Sequence, residues 1–283
     1  MKRKDFDRLA IRRFFKRALR DHIRVLREAW AYNRRMRHAG GGICSYLKAW
    51  YGTRLRQRLP LLPREVAIRV GVAGQTLRLP VRLTTISDAI ALRGVFAEQA
   101  YAVAPVGAPV KRIVDLGANC GYATAYFCRS HPEAMLACVE PEPGNLVQLL
   151  KTIRWNSLPA TVFSAAASDA IGLSHLATDE GFPARSRIKR DGDGLCVATI
   201  TLGDVLSKME WEDADVLKMD IEGSEDEVVR SSMEQLRLFR IVIFELHPHV
   251  DTEAVLRQMR NGGFDVQRVD ASSEPVYLAR RRE

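Results

Sequence analysis

The spacing of apolar residues changes along the chain. Ile11, Phe15, Leu19, Ile23, Leu26 and Trp30 recur every three or four positions among arginines. This predicts a helix over roughly residues 5–38, a cationic rod with one apolar stripe. Gly40, Gly41 and Gly42 break it, and a second short helix is expected around Ile43–Leu59, ended by Pro60 and Pro63. The period then falls to two. Val66, Ile68 and Val70, followed by Leu77, Leu79 and Val81, predict a hairpin over Glu65–Arg82 with Gly71 and Gly74 bracketing its turn. Ile86–Val103 reads as a helix leading into the rest of the chain.

From Val110 onward short apolar runs alternate with helical patterns. Strands are predicted at Arg112–Leu116, Met135–Glu140, Thr161–Ala166, Asp215–Met219, Ile241–Leu246, Phe264–Val269 and Val276–Ala279. Helices are predicted at Tyr122–Ser130, Gly144–Trp155, Ser224–Leu236 and Thr252–Asn261. Such alternation means an α/β fold with a doubly wound, mostly parallel sheet and right-handed crossovers. Its ligand belongs outside the carboxyl ends of the strands. Ser168–Cys196 interrupts the rhythm with four glycines and a basic run, Arg185–Arg190, and is expected to form a loop or an extra strand pair over the site. The expected organisation is a basic helical extension (1–62), a hairpin with its lead-in helix (63–109) and a ligand-binding α/β domain (110–283).

Charge sharpens this division. Residues 1–60 carry 18 Lys and Arg against 4 Asp and Glu, whereas the remainder carries 25 against 30, so the overall +9 belongs to the extension. The half that holds the candidate chemistry is mildly acidic. The five cysteines show no C-x-x-C pair or His/Cys ligand cluster, which fits a reducing compartment without structural zinc. No signal sequence and no run of about 20 apolar residues is seen. A cytoplasmic protein, peripheral at most to the inner membrane face, is expected.

The strongest chemical signal is Ile113-Val114-Asp115-Leu116-Gly117-Ala118-Asn119-Cys120-Gly121-Tyr122, an apolar strand running through two glycines into a helix. Asn119 occupies the second glycine position of the dinucleotide fingerprint, so a pyrophosphate is poorly served. A cofactor offering an amino acid carboxylate and ammonium suits Asp115 beside free backbone N–H groups at a helix start. Val139-Glu140-Pro141 follows one strand later, where Glu140 can accept hydrogen bonds from ribose hydroxyls. Ala167-Ser168-Asp169, after the third strand, is placed to meet an adenine ring. The alternative reading makes the glycines plain turn residues and Glu140 a solvated acid.

With these segments the chain resembles the FkbM family of methyltransferases. The likeness also takes in Thr201-Leu202-Gly203-Asp204, the block Asp215-Val216-Leu217-Lys218-Met219-Asp220-Ile221-Glu222-Gly223-Ser224-Glu225, and Ile243-Phe244-Glu245-Leu246-His247. It covers roughly residues 86–270, and Gly203, where an acid is more usual, is a small departure. The resemblance implies a seven-stranded class I methyltransferase sheet (Rossmann-like), S-adenosylmethionine as donor, and a hydroxyl of a saccharide, glycolipid or other natural product as acceptor. The cofactor set is then Asp115, Gly117, Ala118, Asn119, Gly121, Tyr122, Glu140, Pro141, Asn145, Ala167, Ser168 and Asp169.

Methyl transfer to an alcohol needs the acceptor held in line and its proton removed. Asp220 and Glu222 follow one strand and Glu245 and His247 the next, so all four are catalytic candidates, with Asp220 first as base and His247 second. No metal site is assigned, although these acids and the imidazole could hold a divalent cation. Asp220 and Glu222 could alternatively cap the helix near Ser224, and His247 could be a turn residue. Lys218 reads as the partner of a neighbouring carboxylate. A small-molecule or glycan acceptor is the expected partner. The basic arm also suggests two other functions, an RNA-directed methyltransferase or a peripheral protein that docks an anionic membrane or a partner through residues 1–60. Too few aromatic residues are spaced for base stacking to favour nucleic acid.

Overall fold

A computed structural model describes residues 19–20, 22–27, 29–30, 42–59, 61–102, 109–179, 182–189, 194–270, 272 and 275–282. The rest of the expected 5–38 helix, Gly40, Gly41, Pro60 and Val103 fall outside the described residues, as do the side chains of the basic run Arg185–Arg190. Within the arm, helix is present among residues 19–30.

Helix α1 spans Gly42–Arg58, so Gly42 opens a helix instead of breaking one. Strands β1 (Glu65–Val72) and β2 (Gln75–Arg82) form the antiparallel hairpin in register Val66↔Val81, Ile68↔Leu79 and Val70↔Leu77. The turn is Ala73-Gly74, both at positive φ, and Gly71 lies inside β1. The lead-in helix is shorter than predicted: α2 covers Ser87–Leu92 and widens into a π-helical turn at Arg93–Ala97.

The main sheet is built from β3 (Arg112–Leu116), β4 (Met135–Val139), β5 (Ala160–Phe163), β10 (Ala214–Met219), β11 (Phe239–Glu245), β12 (Phe264–Arg268) and β13 (Val276–Arg281). Its spatial order is β5-β4-β3-β10-β11-β13-β12, with β13 antiparallel to both neighbours. The seven-stranded, mostly parallel sheet implied by the sequence is therefore present. Strand order reverses at β3, which lies between β4 and β10. Helices α3 (Tyr122–Ser130), α4 (Pro143–Asn156), α5 (Leu202–Lys208), α6 (Glu225–Ser231), α7 (Met233–Leu236) and α8 (Thr252–Asn261) connect the strands. Single continuous helix over Ser224–Leu236 does not form, because the chain steps out of α-geometry at Ser232. The interrupting segment is more than a strand pair: β6 (Ala166–Ala167), β7 (Gly172–Asp179), β8 (Phe182–Lys189) and β9 (Leu195–Ile200) form a second sheet in the order β6-β9-β7-β8.

Two apolar cores flank the main sheet. One joins Tyr46 and Trp50 of α1, Leu77 and Leu79 of the hairpin and Phe96 to Ile113, Tyr122 and Phe127 of the α/β layer. The other packs Leu116, Met219 and Phe244 against α5, α6 and α8. The hairpin and the sheet thus share one core. Arg82 fastens them further, donating to Asp88 and, from Nη2 at 2.9 Å, to Oδ1 of Asn145 at the start of α4.

Candidate active site

Parallel register brings the candidate residues together at one edge. Leu116, Val139, Met219 and Glu245 end adjacent strands, so Gly117, Glu140, Asp220 and His247 emerge side by side. Gly117 has φ +78°, and a Cβ there would lie 1.8 Å from the carbonyl oxygen of Asp220. Only a glycine lets the loop after β3 pass this close to the loop after β10.

Four N–H groups of the first loop, those of Gly117, Ala118, Asn119 and Gly121, are taken by acceptors within the protein. Gly117 and Ala118 both donate to the Val139 carbonyl at 2.9 Å, Gly121 donates to Ala118, and Asn119 donates to Oε2 of Glu140 at 2.8 Å. The neighbouring strand end supplies the acceptors for Gly117, Ala118 and Asn119. Glu140 is buried and also accepts from Glu142 N–H and the Asn145 amide. Burial pushes its pKa up to about 7 against the opposing effect of these hydrogen bonds. Asp115 is fully buried, receiving Thr124 Oγ1 at 2.8 Å and Lys218 Nζ at 3.1 Å. Lys218 is its direct neighbour across β3 and β10, as a partner for a carboxylate should be. Lys218 also donates to the Gly117 carbonyl at 2.5 Å and lies 3.7 Å from Asp220 Oδ2. Burial works against its charge, but Asp115 and Asp220 outweigh it and raise its pKa.

Around Asp220 the geometry is closely specified. The buried Tyr101 hydroxyl donates to Oδ2 at 3.0 Å, while Oδ1 faces Nε2 of His247 at 3.8 Å. His247 is held from both ends, with Nε2 3.1 Å from Glu222 and Nδ1 2.8 Å from the buried Glu225. Burial opposes its protonation, yet the hydrogen bonds to Glu222 and Glu225 prevail and lift its pKa to about 11. Glu245 stands 3.8 Å from the same imidazole. The N–H groups of Ile221 and Gly223 go to Glu225, and the start of α6 at Ser224 has no side-chain cap. Glu222 adopts φ +57°, a left-handed conformation that costs a non-glycine residue on the order of 1–3 kcal/mol. Asp220, Glu222 and His247 also offer ligand atoms within 4.8 Å of one another, a spacing that could hold a metal ion.

These groups open onto a cavity of about 360 Å³. Of the expected cofactor residues, Ala118, Asn119 and Tyr122 line it, and all four catalytic candidates do. Asp115, Gly117, Gly121, Glu140, Pro141, Asn145, Ala167, Ser168 and Asp169 are not among its lining residues. Tyr122 is buried and donates its hydroxyl to the Pro80 carbonyl. Ser168 continues β6, donating its N–H to the Ile200 carbonyl, with Asp169 beside it. Tyr101, Arg93 and Glu98 also line the cavity, and they and Glu225 were not singled out by sequence reasoning.

The sequence model of the methyltransferase FkbM domain matches residues 115–266, which contain the β3 loop, Glu140 and the Asp220 block. The chain belongs to the FkbM methyltransferase family. It is accordingly an S-adenosylmethionine-dependent methyltransferase. No curated protein sequence matches the FkbM chain. Solved structures similar to it include Aeropyrum pernix fibrillarin with natively bound S-adenosyl-L-methionine, at 14% identity, 78% of this chain, 84% of that chain and TM-score 0.44. An O-methyltransferase family protein from Burkholderia thailandensis aligns at 15% identity over 70% of this chain and 60% of its own, with TM-score 0.42. A precorrin-6y C5,15-methyltransferase from Geobacter metallireducens aligns at 10% identity over 65% and 84%, with TM-score 0.41. Among the described residues, no helix is long and apolar enough to cross a membrane.

Proposed function

We propose that this FkbM methyltransferase methylates a hydroxyl group of a small acceptor such as a saccharide, a glycolipid headgroup or another natural product. Asp220 carries the reading: one carboxylate oxygen is fixed by Tyr101 and Lys218, and the other is turned into the cavity beside His247. A carboxylate pinned on one oxygen presents the other in a fixed direction, which is what orienting a hydroxyl and taking its proton require.

The loop after β3 suits the cofactor. It offers no phosphate-binding cation, because the nearby Lys218 is committed to Asp115 and the Gly117 carbonyl. Asn119, Glu140 and the Ser168-Asp169 turn are the residues that would hold S-adenosylmethionine, with Asp115 acting through Lys218. When bound, the cofactor would supply a methyl carbon on a sulfonium, to which the acceptor oxygen bonds as the carbon–sulfur bond breaks and the neutral thioether leaves. The cavity wall carries Glu98, Asp220, Glu222 and Glu245 against Arg93, Lys218 and His247. With His247 protonated these charges nearly balance, which suits a neutral acceptor.

His247, protonated up to about pH 11, has no lone pair for a proton, and its two N–H groups are engaged by Glu222 and Glu225, so it acts as a fixed positive charge beside Asp220. Asp220 remains the base. A cavity of this size admits a sugar ring and not a folded nucleic acid. The test is to incubate the purified chain with methyl-labelled S-adenosylmethionine and pools of neutral glycosides, amines and carboxylic acids. Label in an ether that survives mild alkali is expected. Label released as methanol would place the methyl on a carboxylate and overturn the hydroxyl reading.

A further inference from the structure

The helical segment among residues 19–30 has three faces. Val25 and Ala29 are fully buried. His22 sits against Tyr51 at 5.4 Å between ring centroids, and the Arg24 guanidinium lies over Trp50 at 5.7 Å, so this side rests on α1. The apolar stripe of the sequence is on another face. Leu19, Ile23, Leu26 and Trp30 are exposed by 62%, 42%, 53% and 58%. At 3.6 residues per turn they fall within an arc of about 60°. Arg20 and Arg27 lie beside it, on the side away from Val25 and Ala29, and both are exposed.

A helix that packs through two small residues and turns its large apolar side chains outward is not using them for its own core. The arginine row beside the stripe fits a surface that is apolar within and anionic at its edge. Tyr51, against which His22 packs, also lines an apolar groove with Leu47, Leu55 and Leu62, and Leu55, Leu59 and Leu61 are exposed nearby in sequence. A second copy is a poor occupant, since each arm carries 18 basic against 4 acidic residues and two would repel. A nucleic acid would meet three aliphatic side chains and one aromatic, too few rings for stacking.

We infer that the Leu19–Ile23–Leu26–Trp30 stripe and its arginine row dock this enzyme in the plane of an anionic lipid bilayer. The inference does not depend on the acceptor proposed above, which the product analysis tests separately.

Full-length protein is sedimented with vesicles of phosphatidylcholine alone or mixed with phosphatidylglycerol. Wild type should bind the mixed vesicles roughly tenfold or more tightly than the neutral ones, given the effect of several basic residues near an anionic surface. Ile23→Glu with Leu26→Glu should weaken that binding by at least about tenfold, since each removes an apolar side chain from the buried face. Arg20→Gln with Arg27→Gln should reduce the preference for the anionic lipid by roughly tenfold. Unchanged melting temperature and S-adenosylmethionine affinity in these variants exclude misfolding, and the exposed positions of all four residues make that the expectation. Acrylamide quenching of the fluorescence lost in Trp30→Phe should fall on binding the mixed vesicles. Equal sedimentation of wild type and the Ile23/Leu26 variant overturns the inference. So does a dimer, or a complex with single-stranded RNA, that the same variant dissolves while vesicle binding stays unchanged.

Discussion

At the scale of single residues, Asp220 and His247 are set apart by what surrounds each. Asp220→Asn keeps an oxygen for the Tyr101 hydroxyl but removes the charge that takes the acceptor proton, so turnover should fall roughly 10²-fold or more with cofactor affinity little changed. Isotope-release assays and calorimetry on the one variant check this, and near-normal turnover would remove Asp220 from the chemistry. Turnover of the wild type that collapses with a chelator would make it a metal ligand instead. His247 yields a prediction of different kind. Its pKa is raised from about 6.5 to about 11 by Glu222 and Glu225. The resulting stabilisation is complete below the unfolded value and is lost as pH rises toward the folded one. His247→Gln should therefore lower the melting temperature clearly near pH 6 and much less near pH 10.5. An equal loss at both values would show that the imidazole is neutral in the fold.

At the scale of elements, two glycines with the same φ isolate what the β3 loop demands. Gly117 and Gly74 both have φ +78°, but a Cβ on Gly74 meets nothing within 4 Å whereas one on Gly117 collides with the Asp220 backbone. Gly74→Ala should cost only the backbone term, on the order of 1 kcal/mol. Gly117→Ala should cost several times more and also depress turnover, because relief requires Asp220 to move. Thermal melts of the two variants decide it, and equal losses would mean that the loops are not in contact. This contrast also marks what could be read beforehand. The strand, glycine loop and helix of β3–α3 were legible because their signals are local: an apolar run, two glycines, then a helix that spans Tyr122–Ser130 as predicted. Helix α8 was legible over Thr252–Asn261 for the same reason, with Asp251 capping its start. The fate of the loop N–H groups was not, since their acceptors lie on Val139 and Glu140 of another strand. Tyr101 was missed because a lone tyrosine in a lead-in helix carries no sign that it will meet Asp220, 119 positions later. Glu225 was not singled out in the sequence, and it is the group whose carboxylate meets Nδ1 of His247.

At the scale of the whole molecule, the sequence suggested separate boundaries near residues 62 and 109, whereas the packing runs through both. Leu77, Leu79 and Val81 of the hairpin, Phe96 of the π-helical turn and Tyr46 of α1 lie in the same apolar core as Ile113, Tyr122 and Phe127. Each is nearly or wholly buried, and removing a buried aromatic or leucine from a core costs about 2–5 kcal/mol. A domain's net stability is only about 5–15 kcal/mol. A fragment of residues 110–283, although it contains the whole main sheet and the full family match, loses several such side chains at once and exposes the face of α3 that they cover. It also loses Arg82, which ties Asp88 to Asn145 beside the cofactor loop, and Tyr101, which holds Asp220. The fragment is therefore expected to lack a cooperative thermal transition and to bind S-adenosylmethionine far more weakly than the full chain. Calorimetric unfolding and cofactor titration of both proteins measure this directly. A fragment that melts cooperatively with full cofactor affinity would show that the α/β layer stands alone and that the hairpin is an appendage.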